Sequence, residues 1–121
     1  MTDFIPDSDQ SNAITAALQG KDRIITGGAG TGKTSIIKEI AAAMVDGVTI
    51  LAPTGKAAAR LKEATGFPAY TIHRELMYDG ERFNRKANLG VTIIDEASMV
   101  ESALLAAVLR YSPKQLILVG D

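Results

Sequence analysis

The chain has no cysteine, one histidine and almost no net charge, and each shortage removes a class of chemistry. Without cysteine there are no disulfides, no zinc–thiolate sites and no thiol nucleophile. That composition is compatible with a reducing cytosol, so the expected location is cytoplasmic. A formal net charge of −1 is not the footprint of a domain that binds nucleic acid by bulk electrostatics. Any such contact must come from a local patch, for which Lys56, Arg60, Lys62, Arg74, Arg82, Arg85 and Lys86 are the candidates. No apolar run approaches the roughly eighteen residues of a membrane span. The longest covers residues 103–109, so no membrane partner is expected. Met1-Thr2-Asp3-Phe4 does not open a signal peptide. Repeats, low-complexity tracts and linkers are lacking too. What remains is 121 residues, 46% of them hydrophobic, enough for one packed domain and too few for two.

Apolar strands alternate with helices along this chain. Residues 10–19 carry Ile14, Ala17 and Leu18 at helical spacing, and Gly20 stops the pattern. Arg23-Ile24-Ile25-Thr26 is a short strand. Residues 33–44 place Ile36, Ile37, Ile40 and Met44 on one helical face. A second strand covers residues 48–52, and a helix covers 56–64 before Gly66. A short helix starts near Thr71, and residues 77–90 read as a loop or small hairpin. Val91-Thr92-Ile93-Ile94 is a third strand. Ser98 and Glu101 fit a capping box that opens a helix with Leu104, Leu105, Val108 and Leu109. Leu116-Ile117-Leu118-Val119 is a fourth strand. The pattern predicts an α/β fold, a parallel sheet covered on both faces, with ligands beyond the carboxyl ends of the strands.

The chemically suggestive residues fall at those ends. Gly27-Gly28-Ala29-Gly30-Thr31-Gly32-Lys33-Thr34 fits G-x-x-x-x-G-K-[ST] between an apolar strand and an amphipathic helix. Glycines let the backbone turn tightly with its N–H groups inward, which favours a polyanion. Gly28, Ala29, Gly30, Thr31, Gly32, Lys33, Thr34 and Ser35 are therefore the candidate ATP-binding set. Lys33 is suited to reach the β- and γ-phosphates, and the Thr34 hydroxyl to coordinate Mg2+. Asp95 and Glu96 directly follow the third strand. Asp95 is placed to supply a second hard oxygen site for the metal, and Glu96 to activate water as general base.

Taken in order, these segments resemble superfamily 1 DNA helicases, closest to the RecD-like group. Residues 27–34 match the first helicase motif, and residues 51–58, around Pro53, Thr54, Gly55 and Lys56, match the next. In that family this second segment touches single-stranded DNA. Thr71-Ile72-His73-Arg74-Glu75-Leu76 is similar to a further DNA-contacting segment, with Thr71 and His73 as its candidates. Ile93-Ile94-Asp95-Glu96-Ala97-Ser98-Met99-Val100 matches the Asp-Glu motif in its RecD-like form. Residues 116–121, ending in Gly120 and Asp121, match the start of the motif coupling nucleotide state to DNA. Gln10 lies where the family keeps a glutamine that reads adenine. The resemblance covers nearly the whole chain.

It implies a P-loop NTPase (RecA-like) three-layer sandwich with strand order 1-4-3-2. Residues 1–121 would be one such ATP-binding domain, incomplete at its C-terminus. It further implies an ATP-hydrolysing helicase of DNA recombination or repair, moving 5′ to 3′ in the complete protein. The partners implied are the remaining helicase domains, single-stranded DNA and a larger recombination or replication complex. The family's second RecA-like domain supplies arginines worth about 10³–10⁵ in rate for related phosphoryl transfers. No residue here takes that role, so the isolated chain is expected to be nearly inactive. The alternatives are another P-loop ATPase, or a nucleotide-binding module without turnover. In the family a further strand pairs outside the first. Without it Arg23–Thr26 is an exposed apolar edge, and self-association is expected.

Overall fold

The computed structural model describes residues 22–26, 32–44 and 46–120. The helix expected over 10–19, with Gln10, lies outside them, as do Asp121 and the phosphate loop from Gly27 to Thr31.

Among the described residues, five strands form one parallel sheet: β1 (Arg23–Thr26), β2 (Thr49–Ala52), β3 (Tyr70–Thr71), β4 (Val91–Ile94) and β5 (Gln115–Gly120). Four helices connect them: α1 (Lys33–Ala43), α2 (Gly55–Thr65), α3 (Ile72–Glu75) and α4 (Ser102–Arg110). The order across the sheet is β1-β5-β4-β2-β3. The expected order 1-4-3-2 counted four strands, here β1, β5, β4 and β2, and is corrected to an order of five. A fifth strand, β3, lies beyond β2 through the register Leu51↔Tyr70 and Ala52↔Thr71. Two residues carry no readable alternation, which is why the strand was not anticipated.

The sheet separates two cores, and the period-2 geometry of strands decides which residue joins which. Ile50, Ala52, Ile93, Ile117 and Val119 face one layer, made by Ile36, Ile37 and Ile40 of α1 with Ala58 and Leu61 of α2. Leu51, Ile94, Leu116 and Leu118 face the other, where Ile72, Leu76, Leu89, Ala107 and Val108 pack. The chain is thus a three-layer α/β/α sandwich. Ile37 at the centre of α1 is fully buried. Ile37→Ala should cost about 2–5 kcal/mol of unfolding free energy, for lost transfer and the cavity left behind. Urea denaturation checks this, and a cost below about 1 kcal/mol would show that the layer can collapse around the gap.

Local chemistry sets the helix ends. Thr54 caps α2, its Oγ1 accepting the Ala57 N–H at 3.1 Å, and Gly66 ends the helix at φ 77. Just inside that end, the buried Thr65 hydroxyl donates to the Leu61 carbonyl at 2.7 Å and accepts the Phe67 N–H at 3.2 Å. The expected capping box at Ser98 does not form. Val100 and Glu101 are extended (ψ 125 and 146), so Ala97–Met99 closes only a 3-10 turn and α4 starts at Ser102 without a side-chain cap.

β1 is an outer strand of the described sheet, and Ile24 on it is 73% exposed. Asp22 ties the approach to β1 onto its neighbour, its Oδ1 accepting the Leu116 N–H at 2.8 Å. An apolar strand edge of this kind is a template for pairing with another chain. This 121-residue chain should therefore associate at high concentration, and Ile24→Lys should reduce that association. Light scattering from a monodisperse monomer at high concentration would count against it.

Candidate functional site

Parallel strands bring their carboxyl ends to one side of a sheet, and the motif residues follow those ends. Lys33 and Thr34 come after β1, Pro53 and Thr54 after β2, Thr71 closes β3, Asp95 and Glu96 follow β4, and Gly120 closes β5. The registers Thr26↔Gly120, Ile94↔Leu118, Leu51↔Ile94 and Ala52↔Thr71 set these positions along one edge. With strands about 4.8 Å apart, the chain leaving β1 and the acids leaving β4 sit on the order of 10 Å apart, with β5 between them.

At the β1 side Gly32 is left-handed, φ 84, and its carbonyl accepts the Ile36 N–H at 3.0 Å. Glycine adopts that conformation without penalty, so Gly32 can lead directly into α1. The first turn of this eleven-residue helix holds Lys33 and Ser35, both half-buried, and the exposed Thr34. It carries no acidic residue. The N–H groups of a helix's first turn and the helix dipole therefore meet an anion here without local repulsion.

At the β4 side the Asp95 N–H donates to the Leu51 carbonyl at 2.9 Å, which ties the half-buried Asp95 to the end of β2. Glu96 is exposed and left-handed, φ 52 and ψ 41, and it opens the 3-10 turn. A non-glycine residue there costs about 1–2 kcal/mol, and such strain clusters at functional sites. Gly120 abuts the same turn. A Cβ on it would stand 3.4 Å from the Ser98 nitrogen and 3.6 Å from that of Ala97.

Farther along the edge, Pro53, Thr54, Gly55 and Lys56 adjoin Thr71 and His73, because β2 and β3 are paired neighbours. Both threonine hydroxyls are capping groups: Thr71 Oγ1 accepts the Arg74 N–H at 3.1 Å, as Thr54 Oγ1 accepts that of Ala57. Sequence reasoning missed the aromatic chemistry around them. The Arg74 guanidinium lies 4.7 Å from the centre of the Tyr70 ring. The exposed His73 meets Tyr78 edge-on at 5.0 Å, and Tyr78 meets Phe83 at 4.8 Å. The Tyr70/Arg74 spacing of four was the available signal, though β3 and the helix start between them obscured it.

Residues 77–90, read as a loop or small hairpin, form a small hairpin at 78–83, closed by an antiparallel bridge between Tyr78 and Phe83. Asp79 pins its turn, accepting the Glu81 and Arg82 N–H groups on Oδ1 and the Asn84 amide on Oδ2. The Arg82 N–H, then the Asn84 amide and the Glu81 N–H, hold the Asp79 carboxyl below its usual range. A lowered value means the carboxylate supports the hairpin above the ordinary carboxylate pKa, and the support fades as pH falls through the folded value. Asp79→Ala should loosen the hairpin at neutral pH; unchanged amide exchange of Arg82 and Asn84 would refute this. One basic candidate is removed here. Arg85 is ion-paired with Glu75 at 3.2 Å and donates to the Ala87 and Asn88 carbonyls, so it serves the fold.

Comparison with known proteins fixes the family. A family model described as an AAA domain matches residues 10–121. The chain belongs to the AAA domain family. Among curated relatives of this AAA domain, the ATP-dependent RecD2 DNA helicase of Deinococcus radiodurans is 40% identical over 94% of the chain. The RecBCD enzyme subunit RecD of Mycolicibacterium smegmatis is 33% identical over 93%. The RecD-like likeness expected from the ordered motifs therefore holds. The chain spans 17% of the first relative's length and 27% of the second's. Among solved structures, a double mutant of the Bacteroides Pif1 helicase is 25% identical, with a TM-score of 0.78 over 100% of this chain and 33% of that one. The same helicase in complex with ADP-AlF3 and ssDNA is 22% identical, with a TM-score of 0.73 over 98% of this chain and 33% of that one, a likeness of fold. No helix among the described residues is long and apolar enough to cross a membrane.

Proposed function

We propose that this AAA domain is a RecA-like motor segment of an ATP-driven DNA helicase, moving 5′ to 3′ on single-stranded DNA in the complete protein. One observation carries the reading: a single sheet edge holds the anion-ready end of α1, the Asp95-Glu96 pair and the Pro53–Lys56 and Thr71–His73 segments side by side. The first two suit a nucleotide triphosphate and the last two a phosphodiester strand. Work done on one is therefore a few strands away from the other.

In this reading Gly28, Ala29, Gly30, Thr31, Gly32, Lys33, Thr34 and Ser35 bind the phosphates of ATP, and Gln10 contacts adenine. Lys33 neutralises the β- and γ-oxygens, and Glu96 takes a proton from the attacking water. The donor set fits magnesium. Thr34 offers a hydroxyl and Asp95 one carboxylate, and no cluster of three or more histidines or acids competes among the described residues. Magnesium keeps much of its water and binds through one or two carboxylates plus substrate phosphates, where it neutralises charge. DNA phosphates lie over the capped N-terminus of α2 near Lys56, with Thr71 and His73 beside them. Gly120 and Asp121 pass nucleotide state to that surface. The reading carries a cytoplasmic location and a role in recombination or repair, within a larger assembly.

The test is ATP turnover by the full-length protein, with and without single-stranded DNA, and with Lys33→Ala as control. Strong DNA stimulation that the variant loses is the expected result. Turnover indifferent to DNA would keep the nucleotide site and move the function to another P-loop ATPase class.

A further inference from the structure

We propose that the cleft between the Tyr78–Phe83 hairpin and the end of α4 is a second site for a nucleic-acid strand, separate from the sheet edge. It would take a phosphate between Arg82 and Arg110 and a base against Phe83 and Tyr111. The proposal rests on the DNA-motor reading, since a strand must be present for the cleft to capture.

The cleft has a volume of about 450 Å³ and is lined by Glu81, Arg82, Phe83, Ala107, Arg110 and Tyr111. Two guanidiniums from different elements thus face one space, against one carboxylate. Both arginines are exposed, and neither has an ion-pair partner among the described residues. The neighbouring acid, Asp79, is occupied by the N–H groups of Glu81 and Arg82 and by Asn84. Those bonds also fix the backbone from which Arg82 projects, so little ordering is left for a ligand to impose.

The other wall is equally fixed. The Tyr111 carbonyl accepts the Leu89 N–H at 2.9 Å, and the Leu89 carbonyl accepts that of Lys114 at 3.1 Å. These bonds set Tyr111 near the amino ends of β4 and β5, on the order of 15 Å along the strands from the motif edge. Between edge and cleft runs a row of rings, His73 to Tyr78 to Phe83, with centres 5.0 and 4.8 Å apart. Forked guanidiniums match phosphate bidentately, and aromatic faces accept any base, so the pairing suits a strand read without sequence preference. Phe83 and Tyr111 are half-buried against the second core and line the cleft with what remains exposed, a surface an acidic peptide would not use.

Binding of short and long oligothymidylate to the full-length protein, followed by fluorescence anisotropy over a salt series, tests the assignment. The combined Arg82→Ala and Arg110→Ala variant should weaken the long oligonucleotide about tenfold or more and leave the short one unchanged. Its log Kd against log salt slope should fall by about 0.7 for each phosphate that is no longer neutralised. Lysine at both positions should keep the slope. Tyr111→Ala should also weaken the long oligonucleotide about tenfold, because a base then loses one of the two rings it packs against. Unchanged affinity and slope in the arginine variant would overturn the proposal, as would a polyglutamate peptide competing as well as DNA. Lys56→Ala serves as the separating control. If it leaves both lengths unaffected while the arginine variant loses the long one, the sheet-edge reading fails and the cleft stands.

Discussion

On the proposed reading, Glu96→Gln in the full-length protein is expected to lower ATP turnover by about 10²–10⁴-fold, the usual worth of a positioned general base, while nucleotide affinity stays within a factor of about two. The amide keeps the shape and polar contacts of the carboxylate but cannot accept the proton. Calorimetric titration with a non-hydrolysable ATP analogue, beside steady-state turnover, separates the two effects. Full turnover in the variant would remove Glu96 from the mechanism. The backbone sharpens the test. Because Glu96 sits at φ 52, Glu96→Gly should abolish turnover just as fully and yet gain up to about 1 kcal/mol of stability from relief of strain. A residue placed only for structure would not show loss of activity together with gain of stability.

Lys33→Ala is expected to weaken nucleotide binding about 10- to 150-fold and to take turnover with it. The estimate follows from charged hydrogen bonds worth about 1.5–3 kcal/mol, removed where the phosphate charge is greatest. Lys38 lies on the same helix, exposed, and provides the control. Lys38→Ala removes the same formal charge from α1 and should leave affinity unchanged. Equal effects from both lysines would mean that overall charge, rather than the opening of α1, attracts the nucleotide.

The residues that announced the fold are those whose side chains repeat. Ile50 to Ala52, Ile93 with Ile94, and Leu116 to Val119 are apolar on both faces because both faces are covered, and such runs read as buried parallel strands. Gly66 and Thr71 were legible as helix boundaries because each performs one local act, a positive φ and a hydroxyl cap. β3 was hidden, since two residues paired to a neighbour leave no pattern in the chain itself. The capping box at Ser98 failed for the opposite reason: a valid local signal was overridden by the turn after Glu96, which keeps Val100 and Glu101 extended. The phosphate loop and the Asp-Glu pair were visible as motifs. The aromatic row was not, because His73, Tyr78 and Phe83 meet only when the hairpin folds back.

The fit between Gly120 and the turn at Ala97–Ser98 has a mechanical side. A Cβ on Gly120 would stand 3.4 Å from the Ser98 nitrogen, ordinary contact distance, so the tip of β5 and the turn bearing Glu96 meet like two adjoining gear teeth. On the proposed reading, a push on the chain beyond β5 reaches the Glu96 turn through this contact, and a pull on that turn travels back. An alanine at 120 would meet the turn at that distance; on the same reading a branched or longer side chain would have to shift it, and the gear would slip while the fuel is still held.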